Sequence, residues 1–269
     1  MRSILLIVMA LAVFSACQTK KAETPKSKIT GEEVTYSADS VNMKGYIAYD
    51  ASKQGKRPGV LVVHEWWGHN PYARHRADML AELGYVALAV DMYGDGKTAD
   101  HPKDAGMFAG EVMKRGPGAT ARFMKAMEIL KANPNVDGNN IAAIGYCFGG
   151  STVLNMARQG LELKAVASFH GGLGTSTPAK KGEVKAKVLV CNGGADKFIP
   201  QSDIDAFKKE MENAGVTYTF KSYEGALHGF SNPAADSLGK KFDMAIAYNA
   251  AADSASWADM MTFFGEIFK

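Results

Sequence analysis

"IGYCFGGS", residues 144–151, decides how the rest of the chain is read. The apolar run "IAAIGYC" that ends in it reads as a buried strand, and "GGSTVLNMARQG" from residue 149 reads as a helix. Cys147 stands at the junction, between Gly145 and Gly149. Glycines so placed suit a strand that turns sharply into a helix, where nearby β-carbons have no room. The turn would set the Cys147 sulfur at a helix N-terminus, where free N–H groups and the helix dipole favour negative charge. The same fragment also suits an inert thiol packed between glycines. The rest of the sequence has to choose.

Outward from this turn the chain alternates. "PGVLVVHEWWG" gives a β-branched strand over 58–63, and "ARHRADMLAELGY" follows with helical spacing. "YVALAVDMYGDG" is a buried strand that runs into a Gly-rich loop. Residues 103–132 have helical period broken by "GPG" at 116–118, which predicts two helices. "NPNVDGNN" reads as a turn cluster before the 140–145 strand. "LKAVASFHGG", "AKVLVCNGGAD" and "VTYTFKSYEGALHGF" are further strands ending in loops, with a helix over "PQSDIDAFKKEMENAG". The tail from about Asp236 to Phe268 reads as largely helical. Near the start, "EVTYSA" and "KGYIAYD" form a hairpin about "DSVNM". Continuous apolar strands alternating with helices predict an α/β fold: a mostly parallel sheet with helices on both faces. One domain over residues 32–269 accounts for the pattern.

In open sheets of this kind, sites gather beyond the carboxyl ends of the strands. Four such ends carry reactive residue types: Glu65 after 58–63, Cys147 after 140–145, Asp196 after 187–191 and His228 after 217–223. Taken singly, each has a plain alternative. Asp196 in "GGADKFIP" could cap a turn, and His228 in "GALHGF" could be a loop histidine satisfied by backbone. Taken together they make a nucleophile, an acid and a histidine. Cys147 would attack, His228 would carry the proton, and Asp196 would fix the histidine tautomer. The backbone N–H of Phe148, with that of Trp66 from the loop after 58–63, would stabilise a developing oxyanion.

At these residues the sequence resembles the dienelactone hydrolase family, α/β hydrolases with a Cys-Asp-His triad in that chain order. The resemblance runs from about residue 33 to the C-terminus. It is carried by "HEWWG" at 64–68, "VDMYG" at 90–94, "GYCFGG" at 145–150, "GGADKFIP" at 193–200 and "YEGALHGF" at 223–230. It implies an α/β-hydrolase fold, hydrolysis of an ester or lactone through a thioester, and no cofactor. It also implies that Glu65 pairs with the resting Cys147 and helps generate thiolate when substrate binds. A carboxylate beside sulfur would hold the thiol's proton. The sequence departs from the family where two arginines hold a substrate carboxylate. Asp95 stands in the first place and Asn232 in the second. Lys97 could substitute for the first only as a point charge. The expected small-molecule substrate is an ester or lactone, and one without that carboxylate is as much to be expected as one that bears it.

Trp66, Trp67, Tyr93 and Phe148 are candidates to line the substrate pocket, with ordinary core packing as the alternative; His170 could join them but reads more readily as a structural histidine. His64 and His69 flank Glu65, but their spacing fits no helical zinc pattern and a third ligand is not apparent, so no metal is assigned. Cys191, inside an apolar strand, reads as a buried inert thiol.

The net charge of +3, with 31 basic and 28 acidic residues and no basic stripe, predicts no nucleic-acid partner. The N-terminus "MRSILLIVMALAVFSACQTKK" has a basic start and a short apolar stretch, the pattern of a signal peptide over residues 1–16. "FSAC" resembles a bacterial lipobox with Cys17 as the lipidated residue, although Phe14 replaces the usual aliphatic side chain. Ordinary secretory cleavage nearby is the alternative. Residues 17–31 are polar and lysine-rich and read as a flexible tether. These features predict export to the cell envelope, with the membrane touched only through an N-terminal lipid. Two readings compete with catalysis: an envelope ligand-binding lipoprotein on a hydrolase fold, and thiol redox chemistry, for which no resolving cysteine lies close in sequence.

Overall fold

The computed structural model describes residues 27–269. The signal peptide, Cys17 and most of the tether lie outside the described residues. The chain forms eight strands and seven helices among the described residues. They are β1 (Ile29–Ala38), β2 (Val41–Asp50), β3 (Arg57–Val63), α1 (Pro71–Glu82), β4 (Val86–Val90), α2 (Pro102–Lys114), α3 (Pro117–Ala132) and β5 (Val136–Tyr146). There follow α4 (Phe148–Arg158), β6 (Ala165–Phe169), β7 (Lys187–Gly193), α5 (Gln201–Ala214), β8 (Tyr218–Tyr223), α6 (Ala235–Phe242) and α7 (Ala250–Ile267).

One sheet holds all the strands in the order β1-β2-β4-β3-β5-β6-β7-β8. β1 and β2 pair antiparallel, β2 runs antiparallel to β4, and every pair from β4 through β8 is parallel. The central strands are apolar along their whole length because both faces are covered. Alternate residues feed two cores. Leu61, Val63, Leu88 and Val90 pack under α3, α4 and α5, through Phe123, Leu154 and Phe207. Val60, Val62, Ala87 and Ala89 pack under α1 and α7, through Leu80, Met260 and Phe264.

The expected mostly parallel sheet with helices on both faces is the one observed. Three boundaries differ. β1 begins at Ile29, inside the stretch read as tether, because its partner β2 extends to Asp50 and supplies the pairing Ile29↔Asp50. β5 begins at Val136, within the stretch read as a turn. Val136 and Asp137 pair with Arg57 and Pro58, the register shifts, and pairing resumes at Ile141. The C-terminal helix is interrupted at Asp243, whose φ is 52°. The segment after it lies alongside the His228 loop, with Ala247 N–H donating to His228 O at 3.2 Å and Asn249 N–H to Phe230 O at 2.9 Å.

Candidate active site

The turn at Cys147 is as tight as its glycines imply. Cys147 itself sits at φ 52° and ψ −113°, immediately before α4. A left-handed conformation in a residue with a side chain is strained and persists only when its surroundings enforce it. They do so here. A β-carbon on Gly145 would lie 2.1 Å from the Gly149 carbonyl oxygen, and one on Gly149 would lie 2.2 Å from that of Val63. β5, β3 and α4 therefore close on one another at this point, and the half-buried sulfur is held at the head of α4.

His228 and Cys147 line the same cavity. His228 Nδ1 hydrogen-bonds Asp196 Oδ2 at 2.8 Å, and the Asp196 side chain is shut off from solvent. Asp196 Oδ1 accepts from the Phe198 N–H at 2.8 Å. The turn-capping role and the histidine-orienting role are thus filled by the two oxygens of one carboxylate. Burial opposes protonation of His228, but the Cys147 sulfur and the Asp196 carboxylate outweigh it and push the imidazole up to about 10. His228 therefore holds a proton at neutral pH.

Glu65 is buried in the wall of that cavity. Its Oε2 accepts from Asn232 Nδ2 at 2.5 Å. Burial pushes its carboxyl up to about 7, against the lowering influence of Asn232, His228 and Arg76. Asn232, read from sequence only as a missing arginine, is the residue that holds this carboxylate.

Trp66 and Phe148 are the residues whose N–H groups the sequence reading expects to meet an oxyanion. Trp66 and Phe148 both border cavities that Cys147 also borders. Phe148 opens α4, so its N–H has no acceptor within the helix. The peptide that carries the Trp66 N–H is clamped by a residue that sequence reasoning weighed only as a metal ligand. Fully buried His64 donates from Nδ1 to Glu65 O at 2.5 Å, and its Nε2 accepts the Met92 N–H at 3.3 Å. Burial pushes the His64 imidazole down, so it is neutral, with the proton on Nδ1. The next carbonyl, Trp66 O, accepts from the Tyr93 hydroxyl at 2.9 Å.

The cavity beside His228 has a volume of about 330 Å³ and is largely apolar. Trp67 lines it, as expected. Tyr93 and His170 do not. Tyr93 stands behind the wall, where its hydroxyl is spent on Trp66 O. His170 is fully buried, with Nε2 bonded to Ser231 Oγ at 2.8 Å and its ring edge-on to His228 at 5.2 Å. Burial, then the neighbouring charge of His228, holds its imidazole well below the usual range, so it stays neutral. Ser231 in turn meets the Tyr72 hydroxyl at 2.8 Å, and Ser231 O accepts from Arg76, which also pairs with Asp253 at 2.6 Å. This buried network fastens the His228 loop to α1 and α7.

Sequence reasoning missed Phe198, Leu238, Met244 and Ile246 in the cavity wall. The alternation of Met244, Ile246 and Tyr248 in "DMAIAYN" was the available signal, since it has strand rather than helix period. Lys97 lines a separate cavity with Arg115 and Arg122, and Asp95 is exposed. Neither stands in for a carboxylate-binding arginine. Cys191 is buried, accepts from the Tyr223 hydroxyl at 3.4 Å, and is pushed up to about 12 by burial.

The fold and this strand-to-helix turn are those of an α/β hydrolase. The sequence profile of the dienelactone hydrolase family matches residues 43–268, and the chain belongs to that family of ester and lactone hydrolases. It is 30% identical over 206 residues to "Protein usf" of Aquifex pyrophilus, covering 75% of this chain and 87% of that one. It is 28% identical, with the same coverage, to an Aquifex aeolicus protein named "Putative carboxymethylenebutenolidase". Among solved structures, a dienelactone hydrolase-like promiscuous phosphotriesterase from metagenomic libraries superposes with a TM-score of 0.84 at 34% identity. That superposition covers 90% of this chain and 99% of the other.

Proposed function

We propose that the chain hydrolyses an uncharged ester or lactone through a thioester on Cys147. The observation that carries this reading is the strained Cys147 at the head of α4, sharing a cavity with a His228 that is hydrogen-bonded to buried Asp196. The sulfur attacks the carbonyl carbon. The N–H groups of Trp66 and Phe148 take the oxyanion, and His64 holds the Trp66 peptide in place through Glu65 O. His228 gives its proton to the leaving oxygen, then takes one from the water that cleaves the thioester. Glu65, whose carboxyl burial pushes up to about 7, is basic enough in its ionised form to take the proton from the Cys147 sulfur as substrate arrives, which leaves the thiolate. This mechanism needs no cofactor.

Among the described residues no lysine or arginine lines the cavity, which supports a substrate without a carboxylate. A Cys, His, Asp and Glu set assembled at one cavity also favours catalysis over mere ligand binding. The test is turnover of small aryl esters by the native protein, with intact-mass detection of an acyl adduct on Cys147. Cys147→Ala should lose both; full activity in that variant overturns the reading.

We further propose that the enzyme works in the cell envelope, tethered by a lipid on Cys17. The support is the leader pattern in residues 1–17. Labelling with a fatty acid that disappears in Cys17→Ser is the expected result, and equal labelling of both forms refutes it.

A further inference from the structure

Cys147 stands in the wall between two cavities. The larger is the one described above, and it contains His228, Phe198, Leu238, Met244 and Ile246. The second, of about 210 Å³, lies between α2 and α4, with Ala109 and Met113 on one side and Ser151, Thr152 and Asn155 on the other. Trp66, Cys147 and Gly172 border both, whereas His228 borders only the first.

We propose that these cavities are the two arms of an open-chain ester site. The alcohol arm lies beside His228, and the acyl arm lies under α2. The assignment rests on the reading of Cys147 as the acylated nucleophile, and follows from where the proton must go. Attack forms the C–S bond and moves the carbonyl π pair onto oxygen. Collapse restores the carbonyl and breaks the C–O bond, and the leaving oxygen takes the proton from His228. That oxygen must be on the His228 side, so the alcohol occupies the larger cavity. The acyl group stays bonded to sulfur and needs the cavity that touches Cys147 without His228. Departure of the alcohol then opens the His228 side to water. Water loses a proton to His228, its oxygen bonds the acyl carbon, the C–S bond breaks, and the sulfur leaves with its electron pair.

One consequence bears on the substrate class. Neither cavity has a lysine or arginine among the described residues that line it, so neither arm offers a fixed cation to a substrate carboxylate.

The test uses two series of uncharged esters: acetates of methanol, phenol and 2-naphthol, and phenyl esters of acetic, butyric and octanoic acid. Leu238→Trp should lower kcat/KM for 2-naphthyl acetate relative to methyl acetate by about tenfold, leaving the ratios of the acyl series unchanged. Ala109→Leu should lower the octanoate-to-acetate ratio by about tenfold, leaving the alcohol series unchanged. Met113→Ala, at an exposed position, should raise the octanoate-to-acetate ratio even if Ala109→Leu fails to fold. Reversed pairing, or both cavities acting on one series, overturns the arm assignment while an acyl adduct on Cys147 still upholds the mechanism. Absence of any adduct with every ester overturns the mechanism itself, and the assignment with it.

Discussion

Asn232 Nδ2 donates to Glu65 Oε2 at 2.5 Å, and both residues are buried in the wall of the cavity that holds Cys147. A position expected to grip substrate is thereby turned inward to grip a protein carboxylate. An arginine there would be a cation aimed into the cavity; an amide is a neutral donor that steadies one oxygen. The exchange alters substrate charge and Glu65 protonation together.

Asn232→Leu should therefore raise the Glu65 carboxyl further above about 7, since the Asn232 hydrogen bond is one of the influences that lower it. Carbon-13 NMR titration of labelled glutamate should show the Glu65 carboxyl titrating at higher pH in the variant. An unchanged midpoint would remove Asn232 from this role.

Glu65 also makes stability depend on pH. Its folded-state value of about 7 exceeds the ordinary glutamate value of 4.5, so the folded protein binds the extra proton between them. Stability from this group is complete below the unfolded value and is lost as pH rises through about 7. The loss is on the order of 3 kcal/mol. Urea unfolding at pH 5 and pH 8 should show it in the native protein, and Glu65→Gln should flatten that difference.

Asp196→Asn should cut turnover of aryl esters by about 10³-fold, through loss of the carboxylate that orients and charges His228. The His228 imidazole should fall below its native value of about 10, because one of the two groups raising it is gone. Proton NMR of the imidazole checks the second point separately from the kinetics. Turnover within twofold of native would contradict the triad.

His64→Phe should lower kcat by about 10²-fold with KM little changed, because it frees the peptide whose N–H meets the oxyanion. His64→Gln, which keeps a donor near Glu65 O, should recover part of the loss. A merely structural histidine would give the same Tm loss in both variants without the split between kcat and KM.

The features legible in sequence were those fixed by local sterics and strand position. Gly145 and Gly149 announce the tight turn, and Asp196, His228 and Glu65 each follow an apolar strand. What sequence hid depends on contacts far along the chain. Asn232 meets Glu65 across 167 residues, and Ser231 meets Tyr72 across 159. No local period encodes such pairings. His64 was hidden differently, because beside His69 and Glu65 it resembles a ligand cluster, while its two nitrogens are both used on backbone. Tyr93 and His170 fall near the right strand ends, yet the Tyr93 hydroxyl and His170 Nε2 are bonded behind the cavity wall.

β1 runs antiparallel to β2, and β2 antiparallel to β4, so β1 shares the direction of the parallel strands. Ile29 therefore begins at the amino end of the sheet, whereas Cys147, Asp196 and His228 all lie past the carboxyl ends of theirs. A lipid leash fastened ahead of Ile29 would moor the enzyme by its floor. The cavity beside Cys147 lies at the opposite end of the sheet from that attachment.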